Sequence, residues 1–142
     1  MRSFIDTNLL VYADSADEPA KQTRAVELIA DLLRSREGVI STQVLHEFVN
    51  ASIRKLGLPI PLVRERIRLY ERFEIVVPSA DAVMQALDLH VLHQLSYWDA
   101  LIVQAARASG CVRILTEDLH GGAVIGGIRI VNPFADPDGI SA

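Results

Sequence analysis

The chain has 142 residues, half of them apolar, and carries a formal net charge of −4, with 18 acidic against 14 basic side chains. This length suits one domain with its own core rather than two, and the apolar content excludes a largely disordered protein. A protein that holds nucleic acid mainly by neutralising phosphates should be basic, so any nucleic-acid contact here must be local or bridged by a cation other than Lys and Arg.

Short apolar runs alternate with segments whose apolar residues recur at helical spacing. Strands are predicted at residues 3–5, 38–41, 75–77, 112–116 and 128–131. Helices are predicted to begin near residues 17, 42, 59, 79 and 96, with a helix or turn over 8–13. Strands that alternate with helices predict a mostly parallel sheet with helices on both faces.

Local signals refine four of these helices. An acid before Pro19 should cap the first long helix, and Ser41 or Thr42 the next. The helix that opens at 59–61 should carry its arginines, Arg64, Arg66, Arg68 and Arg72, on the outer side. In the helix that begins after Ser79, the expected core stripe is Val83, Met84, Leu87, Val91 and Leu95.

Two acids directly follow predicted strands. Asp6 ends the first strand, and Asp118 lies just past the strand that ends at Thr116. Because sites in open α/β sheets form beyond the carboxyl ends of the strands, both acids should lie at one edge. Glu117 is adjacent to Asp118, and the sequence leaves open which of the two joins a shared site. Taken alone, Asp6 could equally be a helix cap.

Two further acids belong to helices. Asp99 is the third residue after Ser96, a spacing that also fits a capping box. Glu47 lies in mid-helix at the border of an apolar arc, where a solvated acid is the ordinary interpretation.

Four carboxylates in one cleft would repel one another unless a cation were present. Oxygen ligands select a hard cation such as Mg²⁺ or Mn²⁺, and the lack of accompanying histidines argues against zinc. A bound cation would also explain how an acidic protein acts on nucleic acid.

These segments resemble the motifs of PIN-domain nucleases, in the order of that family. The matching segments are Phe4-Ile5-Asp6-Thr7-Asn8, Glu47-Phe48-Val49-Asn50, Ser96-Tyr97-Trp98-Asp99-Ala100-Leu101-Ile102 and Leu115-Thr116-Glu117-Asp118-Leu119. The resemblance covers essentially the whole chain, up to residues 130–134, and is strongest to the toxin members of VapBC toxin–antitoxin pairs. It implies a three-layer α/β/α sandwich with a mainly parallel central sheet over residues 1–134, followed by a flexible tail at 135–142. It also implies Mg²⁺- or Mn²⁺-dependent endoribonuclease activity.

The resemblance further implies roles for individual residues. Asp6, Glu47 and Asp99 match the three core acids of the family as catalytic and metal-binding residues. Asp118 matches the fourth acid, and Thr116 the small hydroxyl residue near it. The expected supporting residues around them are Asn8, Ser96, Thr116 and Glu117. Whether one or two ions act is left open.

The same resemblance implies partners. These are an RNA substrate, a cognate antitoxin whose tail lies along the active-site groove, and a second copy of the chain in a homodimer. The candidates for an RNA or partner groove are Arg54, Arg64 and Arg68.

Three alternatives stand beside this interpretation. One is an inactive PIN domain that only binds RNA or a partner, and another is a nuclease that acts on DNA structures, although such relatives carry longer insertions. The third is a receiver-type signalling domain, which needs an acid pair after the first strand and a lysine after a late one. Here only Asp6 follows the first strand, and both lysines, Lys21 and Lys55, lie early in the chain.

Several features bear on the compartment. Cys111 is the single cysteine, so no disulfide can form within the chain, and we expect it to be a small buried residue. No stretch approaches the ~20 apolar residues of a membrane span, and the N-terminus lacks the pattern of a signal peptide. We therefore expect a cytoplasmic protein without membrane contact.

Overall fold

The computed structural model describes residues 1–135. Its strands are β1 (Ser3–Ile5), β2 (Gly38–Ser41), β3 (Glu74–Val76), β4 (Arg113–Leu115), β5 (Val124–Ile125) and β6 (Ile128–Val131). Its helices are α1 (Thr7–Tyr12), α2 (Pro19–Ser35), α3 (Thr42–Arg54), α4 (Ile60–Tyr70), α5 (Ala80–His93) and α6 (Tyr97–Ala108). The predicted strands and helix starts are confirmed to within a few residues, whereas β5 was not predicted.

The strands form one sheet in the order β3-β2-β1-β4-β6-β5. All neighbouring pairs are parallel except β5 and β6, which are antiparallel. The chain steps from β1 to β2 to β3 in one direction and then returns across the sheet to β4. Because such crossovers are almost always right-handed, α2, α3 and α4 cover one face, and α5 and α6 cover the other. This arrangement confirms the mainly parallel three-layer sandwich.

The centre of the sheet is held by strands that are buried on both faces. In β1 and β2, the adjacent residues Phe4, Ile5, Val39 and Ile40 are all fully buried. Consecutive apolar residues are typical of such strands, since neither face meets water. All three residues of β4 are buried as well. Burial of β1 and β4 therefore fixes where these strands end and where the residues that follow them lie.

β5 forms a hairpin with β6, and it was not predicted because it is too short. Its turn is Gly126-Gly127, with φ of 58° and 83°, and a two-residue turn with both φ positive suits the twist of antiparallel strands. β5 itself has only two residues, Val124–Ile125, too few to show an alternating pattern.

The predicted core stripe of α5 is wrong for four of its five residues. Val83 (39% exposed), Met84 (65%), Leu87 (46%) and Val91 (76%) are exposed, and we call them the outer face of α5. The fifth, Leu95, lies just beyond the end of the helix and is partly buried against the core, as predicted. The helix instead buries Ala82, Ala86 and Leu89. Two of these are alanines, which let α5 pack closely against α6 because small side chains at the contact reduce the distance between helices. The larger apolar side chains of α5 therefore lie on the opposite side of the helix, which faces outward.

The helix caps agree with prediction in part. Ser41, Ser79 and Ser96 each accept a hydrogen bond from the backbone N–H three residues later. At α2 the prediction of a capping acid is wrong, because Glu18 occupies the cap position but its side chain makes no capping hydrogen bond.

The arginines of α4 do not all lie on its outer side. Arg64 and Arg68 are exposed, as predicted. Arg66 instead turns toward α1 and donates to both carboxylate oxygens of Asp14 at 2.9–3.0 Å. Arg72 lies beyond the end of the helix.

Three remaining expectations concern single features. Cys111 is buried, as expected. No helix within residues 1–135 has the length and apolar character needed to cross a membrane. Most of the predicted tail, residues 136–142, lies outside the described part of the chain.

Candidate active site

Asp6 lies where β1 ends and α1 begins. Its backbone N–H donates to the carbonyl of Leu115, which continues the β1–β4 ladder by one residue. One carboxylate oxygen, Oδ1, accepts from the N–H of Thr7 at 2.8 Å, and Oδ2 accepts from the hydroxyl of Thr116 at 2.7 Å. The side chain is thus held from both sides, and the residue is only 6% exposed.

The surroundings of Asp6 oppose its ionisation. Burial is the largest influence and raises the pKa of Asp6 from 3.8 to about 6, although the hydrogen bonds from Thr116 and Thr7 act to lower it. The negative charges of Glu47 and Asp118 raise this pKa further. Acids from two distant segments therefore lie close enough to act on Asp6.

Asp118 is connected to Asp6 through two polar side chains. The hydroxyl oxygen of Thr116, which donates to Asp6, accepts from the backbone N–H of Asp118 at 3.0 Å and from the amide of Asn8 at 3.2 Å. The same Asn8 amide donates to Oδ2 of Asp118 at 3.0 Å. Asn8 and Thr116 therefore link Asp118 to Asp6 through hydrogen bonds.

Glu47 faces the same place from α3. One oxygen, Oε2, accepts from the hydroxyl of Thr7 at 2.7 Å, and Oε1 accepts from the amide of Gln43 at 2.7 Å. The Gln43 amide also donates to the carbonyl of Trp98, which ties α3 to the start of α6. The sequence analysis missed both donors. The i, i+4 spacing of Gln43 and Glu47 could have revealed the Gln43 contact, whereas no spacing in the sequence connects Thr7 with Glu47.

Asp99 reaches the site from the first turn of α6. Its backbone N–H donates to the hydroxyl of Ser96 at 3.1 Å, so the capping role is present. Burial raises the pKa of the Asp99 carboxyl, a hydrogen bond with Ser96 lowers it, and the charges of Asp118 and Glu47 raise it. Capping and membership of the acid cluster are therefore compatible.

Glu117 is occupied by other groups. Its Oε2 accepts from Lys21 Nζ at 2.6 Å, and its Oε1 accepts a short hydrogen bond from the hydroxyl of Tyr12. Burial acts to raise the pKa of Glu117, but the hydrogen bonds from Lys21 and Tyr12 outweigh it and hold the pKa below its usual range. The charge of Glu117 is not among those that shift Asp6 or Asp99. This geometry favours Asp118 as the fourth acid.

An open cleft of about 720 Å³ is lined by three of the acids, Glu47, Glu117 and Asp118, whereas Asp6 and Asp99 are not among its described lining residues. Arg54 and Lys55 line the same cleft. Glu47 and Arg54 lie seven residues apart on α3, so they share one face about 10 Å apart along the helix axis. Among the described residues that line this cleft, Arg54 is present, whereas Arg64 and Arg68 are not.

The acids offer suitable chemistry for a hard cation without a closed geometry. Within residues 1–135, no three Asp, Glu, His or Cys side chains approach closely enough to hold a metal ion as they stand. Like charges push carboxylates apart when no cation neutralises them. The donors are carboxylates, together with Asn8 Oδ1, which is buried and has no hydrogen-bond partner among the described residues. Such oxygen donors fit Mg²⁺ or Mn²⁺, and the side chains would have to move toward one another on binding.

A second concave surface lies between α2 and α4. Its apolar lining includes Val26, Ile29, Leu33 and Leu69, and its volume is about 350 Å³. The Asp14–Arg66 pair also lines it. We call this surface the α2–α4 groove.

Comparison with known proteins identifies the family of this chain. Residues 3–120 match the PIN domain family, and the chain therefore belongs to that family. Membership of the family excludes the receiver-type alternative. The comparison with curated protein sequences gave no match.

Solved structures of toxins have the same fold. VapC20 of Mycobacterium tuberculosis, described as a Sarcin-Ricin loop cleaving toxin, is 23% identical over 82% of this chain and 89% of its own, with a TM-score of 0.65. A toxin–antitoxin complex from Klebsiella pneumoniae is 22% identical over 92% of this chain and 97% of its own, with a TM-score of 0.64. VapBC2 from Rickettsia felis, bound to a DNA fragment from its promoter, is 22% identical over 93% and 98%, with a TM-score of 0.64.

Proposed function

We propose that this PIN domain is an Mg²⁺- or Mn²⁺-dependent endoribonuclease that acts as the toxin of a toxin–antitoxin pair. The observation that carries the proposal is the convergence of four acids from distant segments on one edge of the sheet. The charges of Glu47 and Asp118 act on both Asp6 and Asp99. Such a set of carboxylates destabilises the folded chain unless a cation binds there, so it indicates a functional site.

In this mechanism Asp6, Asp99 and Asp118 would hold the metal. When bound, the metal supplies a water of lowered pKa and stabilises charge on the phosphate and the leaving oxygen. Thr116 and the N–H of Thr7 hold both oxygens of Asp6 in a fixed orientation.

Glu47 acts beside the metal ligands. Its carboxylate is exposed to the cleft and accepts hydrogen bonds from Thr7 and Gln43. Such a carboxylate can orient the attacking water or accept its proton. Arg54, about two helical turns away in the same cleft, would contact a neighbouring phosphate of the RNA.

The test is cleavage of a mixed RNA pool by the purified protein in Mn²⁺. We expect cleavage that stops in chelator and is lost in Asp118→Asn. The matched control is Asp81→Asn, which changes an exposed acid in the first turn of α5. Cleavage that persists in chelator would refute metal dependence. RNA binding without cleavage would instead support the non-catalytic alternative.

We also propose an antitoxin as partner. The α2–α4 groove is apolar and open, which suits the apolar face of a helical segment from a second protein. Arg64 and Arg68, exposed on α4, are candidates for contacts with acidic residues of that segment. The product of a short neighbouring reading frame should co-purify with the wild type and be lost in Val26→Asp. Val124→Asp, at an exposed residue of β5, is the control.

A homodimer in the cytoplasm completes the proposal. The outer face of α5 exposes Met84, Leu87 and Val91 at alternating spacings of three and four residues, which is the pattern of a helix–helix seam. An exposed apolar surface of this kind is typical of an interface. It therefore supports association of two copies.

A further inference from the structure

The segment that carries Asp118 is fixed at two adjacent residues. Asp118 is held by Asn8 and Thr116 toward the acid cluster. Glu117 lines the same cleft but has different partners, Lys21 at the start of α2 and Tyr12 at the end of α1. Adjacent residues share a planar peptide unit, so only a few dihedral angles separate them and fixing one side chain restricts the other.

The contact between Lys21 and Glu117 differs from an ordinary surface ion pair. The two side chains are 33% and 25% exposed, and Lys21 Nζ also lies 4.8 Å from the ring centre of Tyr12 and 5.6 Å from that of Phe134. The rings of Tyr12 and Phe134 meet edge to face at 5.0 Å. Cation–π contacts of this kind restrict an ammonium group that would otherwise move freely.

The same helix offers a contrast. Arg34 and Asp31 form an ion pair on α2 whose side chains are 73% and 65% exposed. Pairs of this type contribute little because water screens them and both side chains lose entropy. A role for Lys21 therefore follows from its surroundings rather than from the mere presence of an ion pair.

We propose that Lys21 is a positioning residue of the nuclease site, which holds Glu117 away from the acid cluster and thereby fixes Asp118 toward Asp6. The proposal rests on the proposed function, because it takes Asp118 as a metal ligand. It assigns to Lys21 no contact with RNA or metal.

Local charge alone would give a different outcome from positioning, and two substitutions separate the two. Lys21→Met removes a positive charge near the acids, whereas Glu117→Gln removes a negative one. If only local charge mattered, the first would strengthen Mn²⁺ binding and the second would weaken it. If the pair positions Asp118, both substitutions release the segment, and both weaken Mn²⁺ binding.

The experiment measures Mn²⁺ affinity by calorimetry and amide hydrogen exchange over residues 116–119 in the metal-free protein. We expect both variants to exchange faster in this segment and to bind Mn²⁺ about tenfold more weakly, as is typical when a group that orients a metal ligand is lost. Lys21→Arg, which keeps a cation, should restore most of the affinity. Arg34→Met, which breaks the exposed pair on the same helix, should leave both measurements unchanged.

The outcomes are distinct. Opposite changes in Mn²⁺ affinity for Lys21→Met and Glu117→Gln overturn the positioning role, and so does unchanged exchange over residues 116–119. A wild-type protein that neither binds Mn²⁺ nor cleaves RNA refutes the proposed nuclease instead. The exchange measurement needs no metal, so it still decides whether Lys21 orders the segment.

Discussion

Replacing Asp6 with Asn should make the metal-free protein more stable at neutral pH while abolishing its nuclease activity. The pKa of Asp6 is raised to about 6 in the folded protein, from an ordinary value of 3.8. The folded state therefore binds more protons than the unfolded state between these two values, and the stability contributed by this group falls as the pH rises through that window. At pH 7.5 the full destabilisation is present.

The size of the gain follows from two opposing contributions. A shift of about two pKa units corresponds to about 3 kcal/mol, which Asn recovers because it carries no charge. Asn cannot accept from both Thr7 and Thr116, since one of its two side-chain atoms is a donor. The lost hydrogen bond costs about 1–1.5 kcal/mol. We expect a net gain of about 1–2 kcal/mol, or roughly 4 °C in Tm for each kcal/mol at this chain length.

The assay is thermal melting in chelator at pH 7.5 and at pH 3.5, alongside RNA cleavage in Mn²⁺. At pH 3.5 the Asp6 carboxyl is largely neutral in both states, so the gain should vanish or reverse. Asp31→Asn, which removes an exposed acid, should change stability by less than about 0.5 kcal/mol at either pH. Full RNA cleavage by Asp6→Asn, or a loss of more than about 1 kcal/mol at pH 7.5, would falsify the assignment of Asp6.

Three further outcomes are expected. Saturating Mn²⁺ should raise the Tm of the wild type, because a ligand bound only by the folded state stabilises it, and Asp99→Asn should weaken that rise; equal melting with and without Mn²⁺ would count against the metal site. In a catalytically inactive variant, Arg54→Glu should weaken RNA binding about tenfold, whereas Arg64→Glu with Arg68→Glu should not, because of these three arginines Arg54 alone lines the cleft. Equal losses of affinity would show that the RNA binds elsewhere. Leu87→Glu should convert a dimer to a monomer in sedimentation without lowering the Tm, since this side chain is half exposed; a monomeric wild type would refute the interface.

The sheet and the acids at its edge could be predicted because their signals are local and strong. Strands such as Phe4-Ile5 are short apolar runs that end at a polar residue, and serine caps mark the helices that follow. Asp6 and Asp118 follow strands that are parallel neighbours, so the topology alone places them at one edge.

The remainder depends on tertiary contacts that leave no periodic signal. The larger apolar residues of α5 were expected inside, yet the helix packs through its alanines, because the fit against α6 decides which face is buried. The partners of Glu117 come from residues 96 and 105 positions earlier in the chain, and no local pattern connects them. The sequence does not separate Glu117 from Asp118, and it is these contacts that favour Asp118.

The placement of β1 between β2 and β4 has a consequence for the newly made chain. The hydrogen bond from Thr116 to Asp6 closes a loop of 110 residues, and closing a loop of that length costs about 4 kcal/mol in chain entropy. During synthesis, β1 can pair with β2 early, but its other edge stays open until β4 has left the ribosome. A chain arrested before residue 113 would hold Asp6, Glu47 and Asp99 without the strand that completes their surroundings. If the protein is a nuclease, its activity should therefore appear only after β4 has been made, which leaves time for a partner made beforehand to be present when the site first forms.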